Sequence, residues 1–305
     1  MAKKSFVKSN KVFKINLLYL LSLIPVVIFA FYKNGIVPAQ KGSIPFWFGT
    51  QYIVIPIIIV LLSYVFEVYY YTVVKKEDDL NSVYNSIAPF INVLCYLVTG
   101  PANKLYITIP IMVIVDVLLK FIDKKFTINQ VALYKCILFG VLFGMGVKTN
   151  ANYYEATIDD EVTKIMPLFI GKGIGSIGTT SALCAIIGYV ILLFNTYYKK
   201  EIPIVTILGY AIVALIVYLV KGVGFMEIIR NTLNSGFLFA AVFVASLSNA
   251  TPVVRSGRVV YALCVGILSA VAVNILNFDI GIYIVILALS VMVPIFNKFK
   301  LSVNN

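Results

Sequence analysis

The sequence predicts an all-α, polytopic membrane protein, and the composition of the chain is the main reason. Of its 305 residues, 61% are hydrophobic and only 12% are charged, and the mean hydropathy is +0.96. In a typical soluble domain about a quarter of the residues are charged. This chain has too few polar side chains to cover a water-facing surface of that kind, which indicates that lipid surrounds most of it.

Ten segments are predicted as transmembrane helices when hydropathy is averaged over a window of about 19 residues. Several of them are short for a hydrocarbon core of about 30 Å. The predicted spans are Ile15–Tyr32, Tyr52–Val74, Val83–Val98, Leu105–Ile122, Val131–Val147, Thr180–Thr196, Ile204–Val220, Leu233–Leu247, Val259–Leu276 and Ile280–Phe296.

The distribution of positive charge predicts the orientation of these spans. With the N-terminus inside, seventeen of the 25 Lys and Arg residues, Lys135 among them, fall on the cytoplasmic side. Cytoplasmic loops carry an excess of Lys and Arg, so both termini are predicted to be cytoplasmic. Five lysines lie between Met1 and Lys14, and no small-residue cleavage site follows them, so we expect a retained first helix.

A polar interruption near the middle divides the chain into three predicted parts. Residues 1–149 form an N-terminal membrane half with spans one to five, and residues 150–175 form an extracytoplasmic loop with a glycine-rich end. Residues 176–305 form a C-terminal membrane half with spans six to ten. Leu133–Leu142 resembles Val259–Leu268, which predicts two five-helix repeats. Chance similarity between apolar helices is the alternative interpretation.

The composition also excludes several kinds of site. The chain has no histidine, which removes His-based catalysis and His metal ligands. Its four cysteines are widely spaced and form no CxxC pair, so no metal site or disulfide framework is expected. The net charge of +12 comes from lysine clusters between apolar runs, without a basic amphipathic face, so nucleic-acid binding is not expected.

Two carboxylates lie inside apolar runs, and Asp116 is the deeper of them. An ionisable side chain within a membrane is costly and usually faces a cavity or a partner group. Asp116 is therefore a candidate for an ion path, with a structural hydrogen bond as an equally weighted alternative. Glu67 stands near the end of its span among several tyrosines, where an interfacial position is expected.

The glycine-rich run Gly171–Gly178 leads directly into an apolar segment. Backbone N–H groups of such a loop, at the start of a helix, can bind an anion. Hydroxyl groups that could take part follow in the same segment, at Ser176, Thr179, Thr180 and Ser181. The alternative is a turn at the start of a helix with an N-capping Ser or Thr and a close, glycine-lined helix crossing.

Residues Gly175–Leu183 read GSIGTTSAL, which resembles the G-S-I-G-E-T-S-A-L signature of the RnfD/NqrB family. RnfD is a membrane component of the Rnf electron-transport complex, and NqrB is its relative in the sodium-pumping NADH:quinone reductase. Residues Ser248–Tyr261 resemble the A-T-D-P-V-T-x-P and G-R-x-x-Y/F stretch of the same family, and Asn129–Ala132 resembles its Q-N-P-A segment. Thr179 replaces the signature glutamate, and Pro252 has no acidic residue before it.

The resemblance implies a membrane subunit that holds flavin. In the family, FMN is joined through its phosphate to a threonine in a D-x-x-S/T-G-A-T motif before the glycine run. At the corresponding place this chain keeps Ala156 and Thr157 only. The resemblance therefore leaves both covalent attachment at Thr157 and non-covalent flavin open. It further implies that Gly175, Ser176, Gly178, Thr179, Thr180 and Ser181 contact the cofactor.

These observations together predict a non-catalytic or flavin-carrying subunit that relays electrons within an ion-coupled complex. The expected location is the bacterial cytoplasmic membrane, with other membrane subunits and the lipid bilayer as partners. The glycine run opens a membrane helix and not a βαβ unit, so no NAD site is indicated. A small-solute transporter or channel without a redox role is the second hypothesis, and a structural scaffold is the third.

Overall fold

The computed structural model describes residues 2–76, 81–101, 103–121, 127–146, 165–173, 175–222, 224–278 and 280–299. All regular secondary structure within these ranges is helical. The helices are α1 Ala2–Phe31, α2 Val37–Gln40, α3 Phe46–Gly49, α4 Gln51–Tyr69, α5 Asn81–Tyr84, α6 Ala88–Leu97, α7 Leu105–Phe121, α8 Gln130–Gly144, α9 Ile165–Ile170, α10 Ala182–Leu192, α11 Glu201–Lys221, α12 Phe225–Asn234, α13 Phe237–Phe239, α14 Arg255–Asn274, α15 Gly281–Val291 and α16 Val293–Phe296.

Three π-helical turns and one 3-10 turn connect or extend these helices. The π-helical turns are Tyr32–Ile36, Tyr70–Val74 and Ala240–Val244, and the 3-10 turn is Ser248–Ala250. The first two turns continue α1 and α4 without a break in the helical path. The third continues α13 within the protein interior, where all five of its residues are buried.

Within the described part of the chain, four helical segments are long and apolar enough to cross a membrane: Lys14–Gln40, Phe46–Val74, Glu201–Val220 and Arg255–Asn274. A helix rises about 1.5 Å per residue, so twenty residues match a core of about 30 Å. The predicted all-α, multi-pass membrane protein is confirmed at this level. The number of ten spans, the two five-helix repeats and the cytoplasmic position of both termini stay predictions.

Several predicted spans are shorter or broken in the structure. The predicted span Val83–Val98 contains α6, which has 10 residues and is therefore about 15 Å long. The predicted span Thr180–Thr196 contains α10, with 11 residues. The predicted span Leu233–Leu247 is interrupted at Gly236, which has a φ of +70°. All ten residues of α6 are buried, so its apolar character comes from packing inside the protein and not from contact with lipid.

Glycines allow the long helices to approach one another closely. A Cβ atom added at Gly266 on α14 would overlap the carbonyl oxygen of Thr206 on α11 and lie 2.8 Å from the amide nitrogen of Tyr210. At Gly188 on α10 a Cβ would lie 2.7 Å from the carbonyl oxygen of Ser22 on α1. Small residues at crossings are how membrane helices gain packing contacts without a hydrophobic driving force between them.

One contiguous hydrophobic cluster joins residues from before and after the middle of the chain. It includes Leu94 and Leu138 from the first half together with Phe243 and Tyr261 from the second. Most of the predicted loop 150–175 lies outside the described residues. This part includes Thr157 and the four carboxylates of the loop, Glu155, Asp159, Asp160 and Glu161. The described end of that loop contains the short helix α9 and leads into the glycine-rich segment.

Candidate functional site

Helix α6 ends inside the protein, where its last carbonyl groups need hydrogen-bond donors. The final carbonyl groups of any α-helix have no partner within the helix. Here the carbonyl oxygen of Leu97 accepts a hydrogen bond from the Gly178 amide at 2.8 Å, and that of Thr99 accepts one from the Ile177 amide at 2.8 Å. The glycine-rich segment of the second half of the chain therefore caps a helix of the first half.

Lys135 on α8 completes this cap. Its Nζ donates a hydrogen bond to the carbonyl oxygen of Val98 at 2.6 Å and another to the Ser176 hydroxyl at 3.1 Å. The C-terminal end of a helix carries partial negative charge, which favours a cation there. The distribution of charge counted Lys135 with the cytoplasmic residues, and the side of the membrane that it faces stays a prediction. The residue is buried in the second turn of α8, where it balances the end of α6.

The start of α8 also caps a second helical segment inside the protein, which consists of α13 and the π-helical turn Ala240–Val244. The Nδ2 atom of Asn129 donates to the carbonyl oxygen of Val244 at 2.7 Å, at the end of the π-helical turn that follows α13. The side-chain oxygen of Asn129 accepts a hydrogen bond from the Ala132 amide at 3.1 Å, so the same residue is the N-cap of α8. Asn129 thus holds the end of the Ala240–Val244 turn against α8, and Lys135 holds the end of α6 against it.

The glycines of the segment are required by close packing. A Cβ atom at Gly178 would lie 2.9 Å from side-chain atoms of both Leu97 and Val26. Thr179 packs against Gly236, where a Cβ would lie 2.8 Å from the Thr179 Cβ. Glycine at position 236 also adopts the positive φ of +70° at little steric cost.

Ser181 is the N-cap of α10. Its side-chain oxygen accepts a hydrogen bond from the Cys184 amide at 3.2 Å. From the other side, Asn34 donates to the carbonyl oxygen of Ile177 at 3.5 Å, and Lys33 donates to that of Gly173. The second interpretation of the glycine run, a turn that starts a helix and permits a close crossing, therefore describes these contacts.

The glycine segment has little internal space for a ligand. A cavity of about 10 Å³ adjoins it, lined by Lys135, Gly175, Ser176, Thr179, Asn234, Ser235, Ile280 and Tyr283. A volume of about 10–15 Å³ holds one water molecule. The three fused rings of FMN do not fit this cavity, and the Ile177 and Gly178 amides already donate to α6. In this arrangement the described part of the segment is not a pocket for the fused rings of flavin.

Two buried polar atoms near this cavity lack hydrogen-bond partners among the described residues. They are Thr180 Oγ1 and Asn234 Oδ1. A buried oxygen without a partner loses the free energy of its hydration, typically about 1–3 kcal/mol. Thr180 was predicted as a cofactor contact, whereas Asn234 was not singled out. Since Asn234 Oδ1 lies against the position where Gly173 would carry a Cβ, both atoms belong to the same densely packed region.

A second polar site lies among α4, α6, α7 and α8, and it contains Asp116. Its side chains form a continuous series of hydrogen bonds and ion pairs. Asn92 donates to the Ser63 hydroxyl at 2.9 Å, and Gln130 Nε2 donates to Asn92 Oδ1 at 3.2 Å and to Asp116 Oδ1 at 3.0 Å.

Lys120 extends this series to Glu67, which lies one helical turn from Ser63 on α4. Its Nζ lies 3.3 Å from Asp116 Oδ2 and 2.6 Å from Glu67 Oε1. Glu67 and Ser63 are four residues apart on one face of α4, just as Asp116 and Lys120 are on α7. We call these six side chains the polar ring: Ser63, Glu67, Asn92, Asp116, Lys120 and Gln130. Glu67, expected at an interface, is instead buried with 2% of its surface exposed.

Two cavities flank the polar ring. One has a volume of about 540 Å³ and is lined in part by Glu67, Lys120, Gln130 and Asn249. The other has a volume of about 530 Å³ and is lined mostly by aliphatic side chains of α4 and α7. Asp116 lines both. Sequence reasoning identified Asp116 as a candidate site residue but missed Asn92 and Gln130. The sequence feature that could have indicated these two residues is an amide side chain at the start or in the middle of an apolar run.

The chain matches the model of one protein family, described as the NQR2, RnfD, RnfE family, over residues 147–304. This range contains Thr157, the glycine-rich segment and Ser248–Tyr261. It begins after α8, so the polar ring lies outside it.

Curated relatives are similar to this chain at modest identity. The D subunit of an ion-translocating oxidoreductase complex of Stutzerimonas stutzeri is 29% identical over 143 residues, which is 47% of this chain and 40% of the relative. The D subunit of a proton-translocating ferredoxin:NAD(+) oxidoreductase complex of Clostridium ljungdahlii is 25% identical over 132 residues, covering 43% and 40%. The D subunit of a Na(+)-translocating ferredoxin:NAD(+) oxidoreductase complex of Acetobacterium woodii is 28% identical over 136 residues, covering 44% and 41%.

The matches to these relatives span about two fifths of the relatives' own length.

Proposed function

The chain belongs to the NQR2, RnfD, RnfE family, and from this premise we propose that it is a membrane subunit of a redox-driven, ion-translocating complex. The observation that carries the proposal is the family match over residues 147–304, which contains the motif-like residues Gly175–Leu183 and Ser248–Tyr261. Its relatives bear the names of subunits of such complexes. By this proposal its partners are the other membrane subunits, in a bacterial cytoplasmic membrane.

We further propose that the chain carries flavin at Thr157, on the loop that precedes α9. Ala156 and Thr157 keep the end of the attachment motif implied by the resemblance. When bound, FMN supplies one- and two-electron transfer, which none of the ordinary side chains of this chain provides. The contribution of the chain itself is a rigid support, because the glycine-rich segment that follows is tied by hydrogen bonds to the end of α6, to α8 and to the π-helical turn Tyr32–Ile36.

The names of the relatives state different transported ions. The relative from Clostridium ljungdahlii is named for protons, and the one from Acetobacterium woodii is named for Na⁺. They are about equally similar to this chain, at 25% and 28% identity. Family membership therefore supports ion translocation without selecting the ion.

A transporter or channel for a small solute, without a redox role, is the second candidate function. The two cavities of about 540 and 530 Å³ on either side of Asp116 favour it, since they place polar groups within a membrane-embedded bundle. The loss of all but two residues of the flavin-attachment motif is consistent with the same hypothesis.

The absorbance of the purified protein in the flavin bands distinguishes the two functions. The protein is produced in a flavin-replete host that contains the flavin transferase of the complex, and it is then precipitated with acid. Yellow colour in the precipitate indicates covalent flavin, and colour in the supernatant indicates bound flavin. A colourless full-length protein would contradict the flavin proposal and favour the transporter.

Substitutions in the loop locate the attachment. Thr157→Ala is expected to remove acid-stable flavin, and Thr163→Ala in the same loop is the matched control that should retain it. Covalent flavin that persists in Thr157→Ala would show that another residue is modified. The amount of folded protein, measured by gel filtration, should be the same for both variants.

A further inference from the structure

We propose that Asp116 and Glu67 bind one monovalent cation, a proton or Na⁺, in addition to the ammonium group of Lys120. The proposal concerns the polar ring, which lies outside the part of the chain that matches the family model. It rests on the proposed function, which supplies the premise that the protein moves a cation. It deepens that function by naming where the cation binds.

The charges of the polar ring do not balance. In their ordinary states Asp116 and Glu67 carry two negative charges, and Lys120 carries one positive charge. The ion pairs of both carboxylates among the described residues are made with the same Lys120 Nζ. Asp116 has 6% of its surface exposed and Glu67 has 2%. An uncompensated charge in such a position is strongly unfavourable, and one added cation removes it.

Among the described residues, the remaining groups that face the ring do not supply that charge. Tyr70, at the end of α4, donates from its hydroxyl group to the carbonyl oxygen of Lys120 at 3.4 Å, and its ring centre lies 5.1 Å from the Lys120 Nζ. Cys95 on α6 is within electrostatic range of Asp116. Neither side chain can carry a positive charge. Lys75 lines the 540 Å³ cavity, but its side chain is exposed and lies over the Tyr70 ring at 5.9 Å.

The oxygen atoms of the ring suit a small, hard cation. The carboxylates of Asp116 and Glu67, the amide oxygen of Asn92 and the hydroxyl of Ser63 are the ligand types that hard cations prefer. Gln130 donates to two of these groups and so fixes the orientation of Asn92 and Asp116.

The site is reached from the cavity with polar walls near the 3-10 turn Ser248–Ala250, which Asp116, Glu67 and Lys120 all line. Asp116 also borders a mostly aliphatic cavity between α4 and α7. A cation is expected to enter from the polar side, because an aliphatic cavity offers it almost no ligands.

The test uses dicyclohexylcarbodiimide, an apolar reagent that couples to protonated carboxyl groups inside membrane proteins. The purified full-length protein is treated at a series of pH values between about 5 and 9, around the ordinary range for carboxylates in proteins. Mass spectrometry of its peptides then measures modification of Asp116 and Glu67. Parallel samples contain NaCl or the same concentration of choline chloride.

The proposal expects modification of Asp116 that falls several-fold as pH rises. A further several-fold decrease with NaCl but not with choline chloride identifies Na⁺ as a ligand, and dependence on pH alone identifies the proton. Lys120→Met should increase modification at neutral pH, because the two carboxylates then share a proton instead of the ammonium. Lys104→Met, which changes an exposed lysine beside Tyr106, is the matched control and should have no effect.

The proposal is overturned if neither carboxylate is modified at any pH in the wild type or in Lys120→Met while both proteins elute as folded species. Modification that responds neither to pH nor to Na⁺ also contradicts it. Asp116→Asn keeps a hydrogen-bonding group of the same size, so loss of modification in a folded Asp116→Asn variant shows that the signal comes from this residue. Flavin colour is an independent measurement, so failure of this test leaves the flavin proposal standing.

Discussion

Lys135 Nζ lies 2.6 Å from the carbonyl oxygen of Val98, so a buried ammonium group on α8 closes the end of an interior helix. The neighbouring carbonyl oxygens of Leu97 and Thr99 accept hydrogen bonds from the glycine-rich segment. Three separate parts of the chain therefore meet at the end of α6. Substitutions can test this junction and the packing around it.

Lys135→Met should destabilise the protein by about 1–3 kcal/mol, because it leaves the Val98 carbonyl and the Ser176 hydroxyl without this donor in a buried site. The measurement is the unfolding of the purified protein in detergent. Lys104→Met, at an exposed position, is the control and should change stability by less than about 0.5 kcal/mol. Equal stability of the two variants would mean that Lys135 contributes nothing net as a cap.

Gly178→Ala should also be destabilising, since the new Cβ would lie 2.9 Å from Leu97 and from Val26. Overpacking of this kind typically costs about 1–3 kcal/mol. Thermal unfolding measures the loss. Leu97→Ala removes one of the three close contacts, that of Leu97 Cδ2, and leaves those of Leu97 Cβ and Val26, so Leu97→Ala and Gly178→Ala together should be partly non-additive. Simple additivity would show that the two residues are not in contact.

Gly266→Ala should separate α11 from α14, because a Cβ there overlaps the backbone of Thr206 and cannot be relieved by rotating a side chain. We expect a loss of at least about 2 kcal/mol, at the upper end of measured overpacking effects. Gly140→Ala on α8 is the matched control, since nothing lies within 4 Å of its added Cβ. There the better helix propensity of Ala should stabilise by up to about 1 kcal/mol. The opposite order of stability would contradict the helix crossing.

Asn129 has two roles that substitutions can separate. Asn129→Ala removes both the N-cap of α8 and the donor to the Val244 carbonyl. Asn129→Ser can keep the N-cap and loses only the hydrogen bond to Val244. Loss of an N-cap typically costs about 0.5–2 kcal/mol. We therefore expect stability to decrease in the order wild type, Asn129→Ser, Asn129→Ala in chemical unfolding. Identical values for the two variants would assign the whole effect to one role.

Lys199 should make stability depend on pH in the alkaline range. Burial, followed by the positive charge of Arg258, lowers the pKa of Lys199 from 10.5 to about 8, and Glu201 partly opposes this. The folded pKa is below the unfolded one, so between pH 8 and 10.5 the unfolded chain binds more protons and stability rises with pH. Lys199→Met should flatten this rise, and Lys200→Met, at the exposed neighbouring position, should not.

The long helices could be predicted from the sequence, because a continuous apolar run of about 20 residues is a strong signal of its own. Lys14–Gln40 and Glu201–Val220 contain the predicted spans Ile15–Tyr32 and Ile204–Val220. The interior helices could not be predicted. Residues 88–97 are as apolar as a lipid-facing helix, and hydropathy does not distinguish burial in protein from burial in lipid.

The candidate sites divide in the same way. Asp116 could be identified because a lone carboxylate in an apolar run is rare. Its partners could not, since Asn92, Gln130 and Lys120 come from three different parts of the chain and meet only through tertiary packing. Lys135 was counted as a loop lysine for a related reason. The rule uses the charges of loops, and it does not recognise a lysine that is buried near the start of a helix. The assignment of Thr157 stays a prediction, as it lies outside the described residues.

The end of α6 has a consequence for how the protein is made. A helix of ten residues is about half the length that crosses a bilayer, and its last carbonyl groups are buried within the protein, away from water. Their donors, Ile177 and Gly178, are synthesised some eighty residues later. The first half therefore emerges from the ribosome with an incomplete helix that has to wait for the second. Biogenesis of this protein should depend on a membrane chaperone or on a sheltered insertion site that holds residues 88–99 until the glycine-rich segment arrives.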